Sequence, residues 1–205
     1  MTYFFPKSDL LFLLFKLYYG LIIKKTLTPY MAILEVLIAP DPILKKKCEN
    51  VEIVDDSIRA IMDDMLETMY HDDGVGLAAN QVGILKKIIV FDLQNDDETE
   101  RPEGFYPIFM ANPEVIDFSK EMIEAKEACI SVPGQQISVS RHATVKVKYL
   151  DYNNQTKELD AGGWFARAIQ HEMDHLDGRI LVDYLSSIKK DVVLRKLTKM
   201  KKAYA

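Results

Sequence analysis

From Ser57 to Met69, apolar side chains fall at Ile58, Ile61, Met62, Met65, Leu66 and Met69. This three-and-four spacing draws one face of a helix, with Ser57 placed to cap it and the methionine stripe as its core side. Lys87-Ile88-Ile89-Val90-Phe91-Asp92 is an apolar run between polar ends, which predicts a buried strand. Thr144 to Tyr149 alternates polar and apolar side chains, as a half-buried strand does. A second helix is bracketed by Gly162-Gly163 and Gly178, and a last one runs from about Ser186 to Lys202. Asn95 to Gly104 carries five acids and reads as an exposed loop. Strands on both sides of a central helix predict an α+β domain, with mixed or antiparallel sheets packed around that helix and a C-terminal helix beyond it.

Length and composition bound the picture further. A chain of 205 residues with 48% hydrophobic content is enough for one domain with a full core. The first thirty residues stand apart: Leu10 to Phe15 and Leu17 to Ile23 are apolar, interrupted by Lys16 and flanked by Lys7, Lys24 and Lys25. At about fourteen residues the stretch falls short of the roughly twenty needed to span a bilayer, so no stable membrane insertion is expected. A small-residue cleavage site and arginine are both missing from it. Three readings compete: a membrane-adhering or targeting segment, an extra helix, or an upstream stretch from a mis-chosen start. Met31 is favoured as the functional start, leaving residues 1–30 as an unassigned extension and 31–205 as a single catalytic domain. Two cysteines make no disulfide framework, which fits a reducing compartment. Cys48, behind three lysines, reads as structurally neutral. Net charge is −5, but from Tyr184 onward seven basic residues face one acid, Asp191. Such a run is by default a solvated helix face.

The chemistry concentrates in His171-Glu172-Met173-Asp174-His175. Histidines four apart share one helical face and can reach one cation, and a glutamate beside the first can take a proton from water. That predicts metal-assisted hydrolysis. The third ligand decides the kind of site. A histidine six residues past His175 would complete one familiar pattern, but that position is Leu181. No glutamate follows Glu172, which removes another. Asp183, Asp191, His71, His142, Cys48 and Cys129 remain. Cys129 stands out, because residues 127–134 form a short turn-bounded segment that could present a thiolate and leave a fourth position open.

Three segments, in order, resemble the peptide deformylases: Gly74-Val75-Gly76-Leu77-Ala78-Ala79-Asn80-Gln81, Glu127-Ala128-Cys129-Ile130-Ser131 and His171-Glu172-Met173-Asp174-His175-Leu176. The likeness runs from about Met31 to about Lys202. It implies an enzyme that removes the formyl group from N-formylmethionyl nascent peptides in the cytoplasm, releasing formate. It also implies one divalent ion on Cys129, His171 and His175. Fe2+ is the physiological ion on that resemblance, with Zn2+, Ni2+ and Co2+ compatible with the donors. By motif position, Glu172 handles the proton, while the Gln81 side-chain amide and the Ile130 backbone N–H donate to the formyl oxygen. Gly74, Val75 and Gly76 pair with the substrate backbone. Val75, Ile130 and Ala168 line the methionine pocket, with Glu127 placed among the substrate-binding residues. The basic C-terminal helix is a candidate ribosome contact.

Smaller expectations follow. Asp174 pairs with Arg141, and His71 and His142 are structural. Two departures stand out: Ala128 replaces a glycine, so a positive φ there would be strained, and Ile130 replaces a leucine. A different metal-dependent amidase or peptidase would use the same helix. A catalytically silent ribosome-binding relative is favoured by Ala128 alone.

Overall fold

The computed structural model describes residues 32–93 and 107–204, with side chains through residue 201. The expectations for residues 1–30 and for the acidic loop at 95–104 lie outside the described residues.

Helix α1, Asp56–His71, forms where the methionine stripe predicts it, with Met62, Met65 and Met69 fully buried. Its cap is Asp55, not Ser57: one Asp55 oxygen accepts from the Ser57 and Ile58 N–H groups, both at 3.0 Å. The Ser57 hydroxyl donates to that same oxygen at 2.6 Å. A charged acceptor at the positive end of the helix outcompetes a hydroxyl, which becomes a donor instead.

The strands are β1 (Gly76–Ala78), β2 (Ile88–Phe91), β3 (Ile108–Phe118), β4 (Met122–Glu127), β5 (Ile137–His142), β6 (Thr144–Leu150) and β7 (Thr156–Gly162). Five form an antiparallel sheet in the order β1-β2-β3-β6-β7, and β4 and β5 make a separate antiparallel pair. The very short β1 is an edge strand, pairing only with β2 through Leu77 and Val90. All four residues of β2 are buried, as its unbroken apolar run requires. β6 shows the predicted alternation, with Val145 and Val147 inward.

Helix α2, Gly163–Leu176, packs against this sheet. Phe165, Ala166, Ile169 and Leu176 pack with Ile89, Phe91, Met110, Val145 and Val147. The helix ends at Asp177, followed by Gly178 at φ +73°, where a Cβ would lie 2.5 Å from the Lys45 carbonyl. Only glycine fits there. Cys48, read as structurally neutral, has a defined place in the packing. It is buried, and its N–H donates to the Leu176 carbonyl, tying the segment after the lysines to the end of α2. Burial pushes its thiol up to about 11.

Helix α3, Ser187–Tyr204, extends slightly past the expected range. Leu197 anchors it, fully buried among Ile137, Val139, Ile180 and Val182. Asp183 pins its start, bonding Lys190 at 2.5 Å, Lys45 and the Ile180 N–H. Among the described residues, no helix is long and apolar enough to cross a membrane.

Candidate metal centre

The site grows from one face of α2. His171 and His175, a turn apart, bring their ring centroids within 5.2 Å. Cys129 comes to them from the irregular segment after β4, its Sγ 3.3 Å from His175 Nε2. One donor atom each from Cys129, His171 and His175 lie within 4.8 Å of one another, all largely buried. Burial holds His175 well below the usual histidine range. The Asn80 amide donates to the His175 carbonyl at 2.5 Å and fixes the last turn of the helix. A thiol and two imidazoles converging in a buried corner are the donor chemistry of a divalent transition-metal site.

Gln81 reaches the same corner from the short 3-10 turn after β1. Its Oε1 accepts from the Ala78 N–H at 2.8 Å, which aims Nε2 at Ser131 Oγ (3.2 Å) and Cys129 Sγ (3.7 Å). Among the described residues, no backbone acceptor takes the Ile130 N–H.

Glu172 lies beside these donors, buried, with Oε2 lacking any hydrogen-bond partner. Burial pushes it up to about 7, against the pull of His171 and Arg141. Gly76 makes this packing possible, since a Cβ there would come within 2.9 Å of both Glu172 Oε1 and the Phe91 ring.

Glu127, placed among the substrate-binding residues, lines the cleft beside these donors and is also tied into the protein. Its carboxylate is turned inward, taking Arg141 Nε and Nη2 at 2.9 Å each and Arg167 Nη1 at 2.7 Å. Its Oε2 also meets His171 Nδ1 at 2.8 Å. Burial works to raise its pKa, but the bonds from Arg141 and His171 outweigh it and hold it at about 2. A motif names a residue's neighbourhood without its direction, and two buried guanidiniums decide that direction here. Arg141 also makes the expected pair with Asp174, at 2.6 Å. The strain considered at Ala128 is absent, because that residue has no positive φ.

Gly74, Val75, Gly76, Gln81, Ile130 and Ala168 line one cleft of about 610 Å³ with Cys129, His171 and Glu172. His71 and His142 lie elsewhere: His71 pairs with Asp72, while His142 bonds the Ser119 carbonyl and stacks on Phe118. Sequence reasoning missed Trp164, Arg167, Ser131 and Asn80. For Trp164 the signal was present, since it stands seven residues, two helical turns, before His171.

Residues 33–191 match the family model described as Polypeptide deformylase. The chain belongs to the peptide deformylase family. It is 56% identical to the peptide deformylase of Rickettsia canadensis over 171 residues, 83% of this chain and 98% of that one. A crystal structure of peptide deformylase from Ehrlichia chaffeensis in complex with actinonin aligns at a TM-score of 0.78 and 42% identity, covering 83% of this chain and 98% of the other. A Met-Ala-Ser bound structure of a class I type b peptide deformylase from Acinetobacter baumannii aligns at 0.68 and 34% identity, covering 76% and 99%. As a deformylase the protein is a metal-dependent hydrolase, and it removes the N-formyl group from nascent peptides. Its deformylase cleft is lined in part by residues at the start of the edge strand β1.

Proposed function

We propose that Cys129, His171 and His175 hold one Fe2+ ion, and that Glu172, Gln81 and Ile130 carry out the hydrolysis of N-formylmethionyl peptides around it. The observation that carries this reading is a buried, unpartnered Glu172 oxygen beside three convergent donors. When bound, the ion supplies a Lewis acid that makes water a nucleophile near neutral pH. Glu172 accepts the proton of the attacking water and returns it to the departing methionine amine. The Gln81 Nε2 amide and the Ile130 N–H donate to the oxygen on which charge builds as the formyl carbon becomes tetrahedral. Glu127 keeps Nδ1 of His171 in a hydrogen bond, which leaves Nε2 for the ion. Gly74, Val75 and Gly76 receive the substrate backbone, and residues 31–205 form the catalytic domain.

The test is formate release from a formyl-Met tripeptide by protein purified without oxygen and loaded with Fe2+. Release that stops in Glu172→Ala and decays on exposure to air supports the reading. Cleavage of unformylated peptides would place the protein among other metal peptidases. Release by the Zn2+ form alone would overturn the choice of ion.

We also propose a cytoplasmic enzyme that meets the ribosome through α3, whose exposed side carries Lys189, Arg195, Lys196 and Lys199. Contacts to RNA phosphates weaken as salt rises. Deleting the helix would strip the buried Leu197, so reversal of Arg195, Lys196 and Lys199 to glutamate is the cleaner variant. Unchanged pelleting with ribosomes would contradict the contact.

A further inference from the structure

Among the described residues, three tyrosine hydroxyls donate to an aspartate: Tyr70 to Asp92 at 2.6 Å, Tyr152 to Asp63 at 2.9 Å and Tyr184 to Asp174 at 2.6 Å. The third differs in where its partner stands, because Asp174 lies on α2 between His171 and His175. The same oxygen, Asp174 Oδ2, also takes Arg141 Nη1 at 2.6 Å. That nitrogen lies 3.2 Å from Tyr184 Oη and 3.3 Å from the Gln170 carbonyl, and the guanidinium carbon is 5.2 Å from the centre of the Tyr184 ring. One corner of Arg141 is therefore boxed by three acceptors and an aromatic ring. Its other edge meets Glu127, with Nε on Oε1 and Nη2 on Oε2, both at 2.9 Å. A guanidinium is planar, so the corner and the edge turn together. Glu127 Oε1 has a second donor in Arg167, whereas Oε2, the oxygen that faces His171 Nδ1, has Arg141 as its other partner. Tilting the guanidinium would move the oxygen on which the His171 ring depends. Tyr184 itself closes the turn Leu181–Tyr184, where its neighbour Asp183 bonds Lys190 of α3 and the Ile180 N–H. The hydroxyl is thus presented by backbone that is fixed from outside the site.

We propose that Tyr184 is a positioning residue for the metal centre: with Asp174, its hydroxyl sets the plane of Arg141, and Arg141 sets the orientation of the His171 imidazole through Glu127. The proposal rests on the reading of His171 as a metal ligand and extends it by three hydrogen-bonded steps. Tyr184 does not line the cleft, so it touches no substrate. Its effect belongs to ligand geometry and to kcat, and leaves KM nearly alone. Partners that orient a ligating histidine from behind typically change metal affinity or activity by about 10- to 100-fold.

The experiment compares wild type, Tyr184→Phe and Tyr152→Phe, each loaded with Co2+, an ion that the donors suit and whose visible absorption follows its ligand geometry. Tyr184→Phe keeps the ring over Arg141 and removes one oxygen. Tyr152→Phe removes the same bond from a pair whose aspartate lies on α1. Visible absorption, Co2+ affinity against a chelator, and kcat and KM for formyl-Met-Ala-Ser are measured on the same preparations. Tyr184→Phe should move the Co2+ bands, weaken Co2+ binding and lower kcat by about tenfold, with KM little changed. Tyr152→Phe should leave the bands where they are. Bands and affinity matching wild type in Tyr184→Phe would overturn the proposal, whatever happens to stability, and so would bands that move as far in Tyr152→Phe. No formate release by wild type would instead bring down the deformylase reading, while the Co2+ bands would still report on His171.

Discussion

Glu127 and Glu172 are both buried and both lie close to His171, one at the end of β4 and the other on α2. Glu127 accepts from two arginines and His171, and is held near pKa 2. Glu172 has an oxygen with no partner and is raised to about 7. The same side chain at nearly the same depth is an anchor in one place and, in the mechanism we propose, a proton carrier in the other. What differs is the supply of donors. A carboxylate saturated with charged donors cannot readily give up or take a proton, whereas a desolvated and under-bonded one is poised to do both. The fold therefore commits Arg141 and Arg167 to Glu127 and leaves Glu172 Oε2 without a donor, as the proposed division of roles requires.

The comparison breaks most visibly if Glu127 can be removed cheaply. Glu127→Ala leaves Arg141 and Arg167 facing each other in the interior, and about 3–5 kcal/mol of stability should be lost. Urea unfolding measures this, and a loss within experimental noise would show that the anchor is dispensable. Gly76→Ala comes next. Its new Cβ would press on Glu172 and Phe91, both 2.9 Å away, and should cost about 1–3 kcal/mol while slowing formate release. Release and stability both unchanged would show that Glu172 has room to move.

Asp183 sharpens the comparison from outside the site. Burial works against its charge, but the Ile180 N–H, Lys190 and Lys45 outweigh it and lower its pKa. Its folded pKa lies below the unfolded one, so the stability it contributes is present above the unfolded value of about 3.9 and fades as pH falls further. Its lysine partners are partly exposed, so Asp183→Asn should cost only about 0.2–1 kcal/mol at neutral pH. That difference from wild type should shrink in unfolding curves below about pH 4. A difference that grows on acidification would contradict the pairing.

These contrasts also mark where sequence reasoning stops. His171, Glu172 and His175 were legible because helical spacing is a local property that fixes which side chains share a face. Cys129 and Gln81 were reachable through motif resemblance, and the structure brings both to the same corner. The direction of the Glu127 carboxylate was not legible, because it depends on Arg141 from β5 and Arg167 from α2, distant in the chain. Arg167 gave no signal of its own beyond its place in the helix. Trp164 did, two turns before His171, but only the structure shows that it lines the cleft. Among the elements, the helices and β2 follow their hydrophobic patterns closely. The cap at Asp55 was missed because a carboxylate two residues earlier competes with Ser57, and pattern alone does not rank the two. The burial of Cys48 was not legible because its neighbours along the chain are lysines, while its neighbours in space belong to the core.

The most direct test takes Glu172→Gln and Glu127→Gln side by side, each Fe2+-loaded, and measures urea unfolding and formate release on the same preparations. Glu172→Gln should keep wild-type stability and lose about 100- to 10,000-fold in rate, whereas Glu127→Gln should lose stability and bind metal more weakly. A Glu172→Gln protein that is unstable, or that still releases formate at close to the wild-type rate, would contradict the division of labour between the two glutamates.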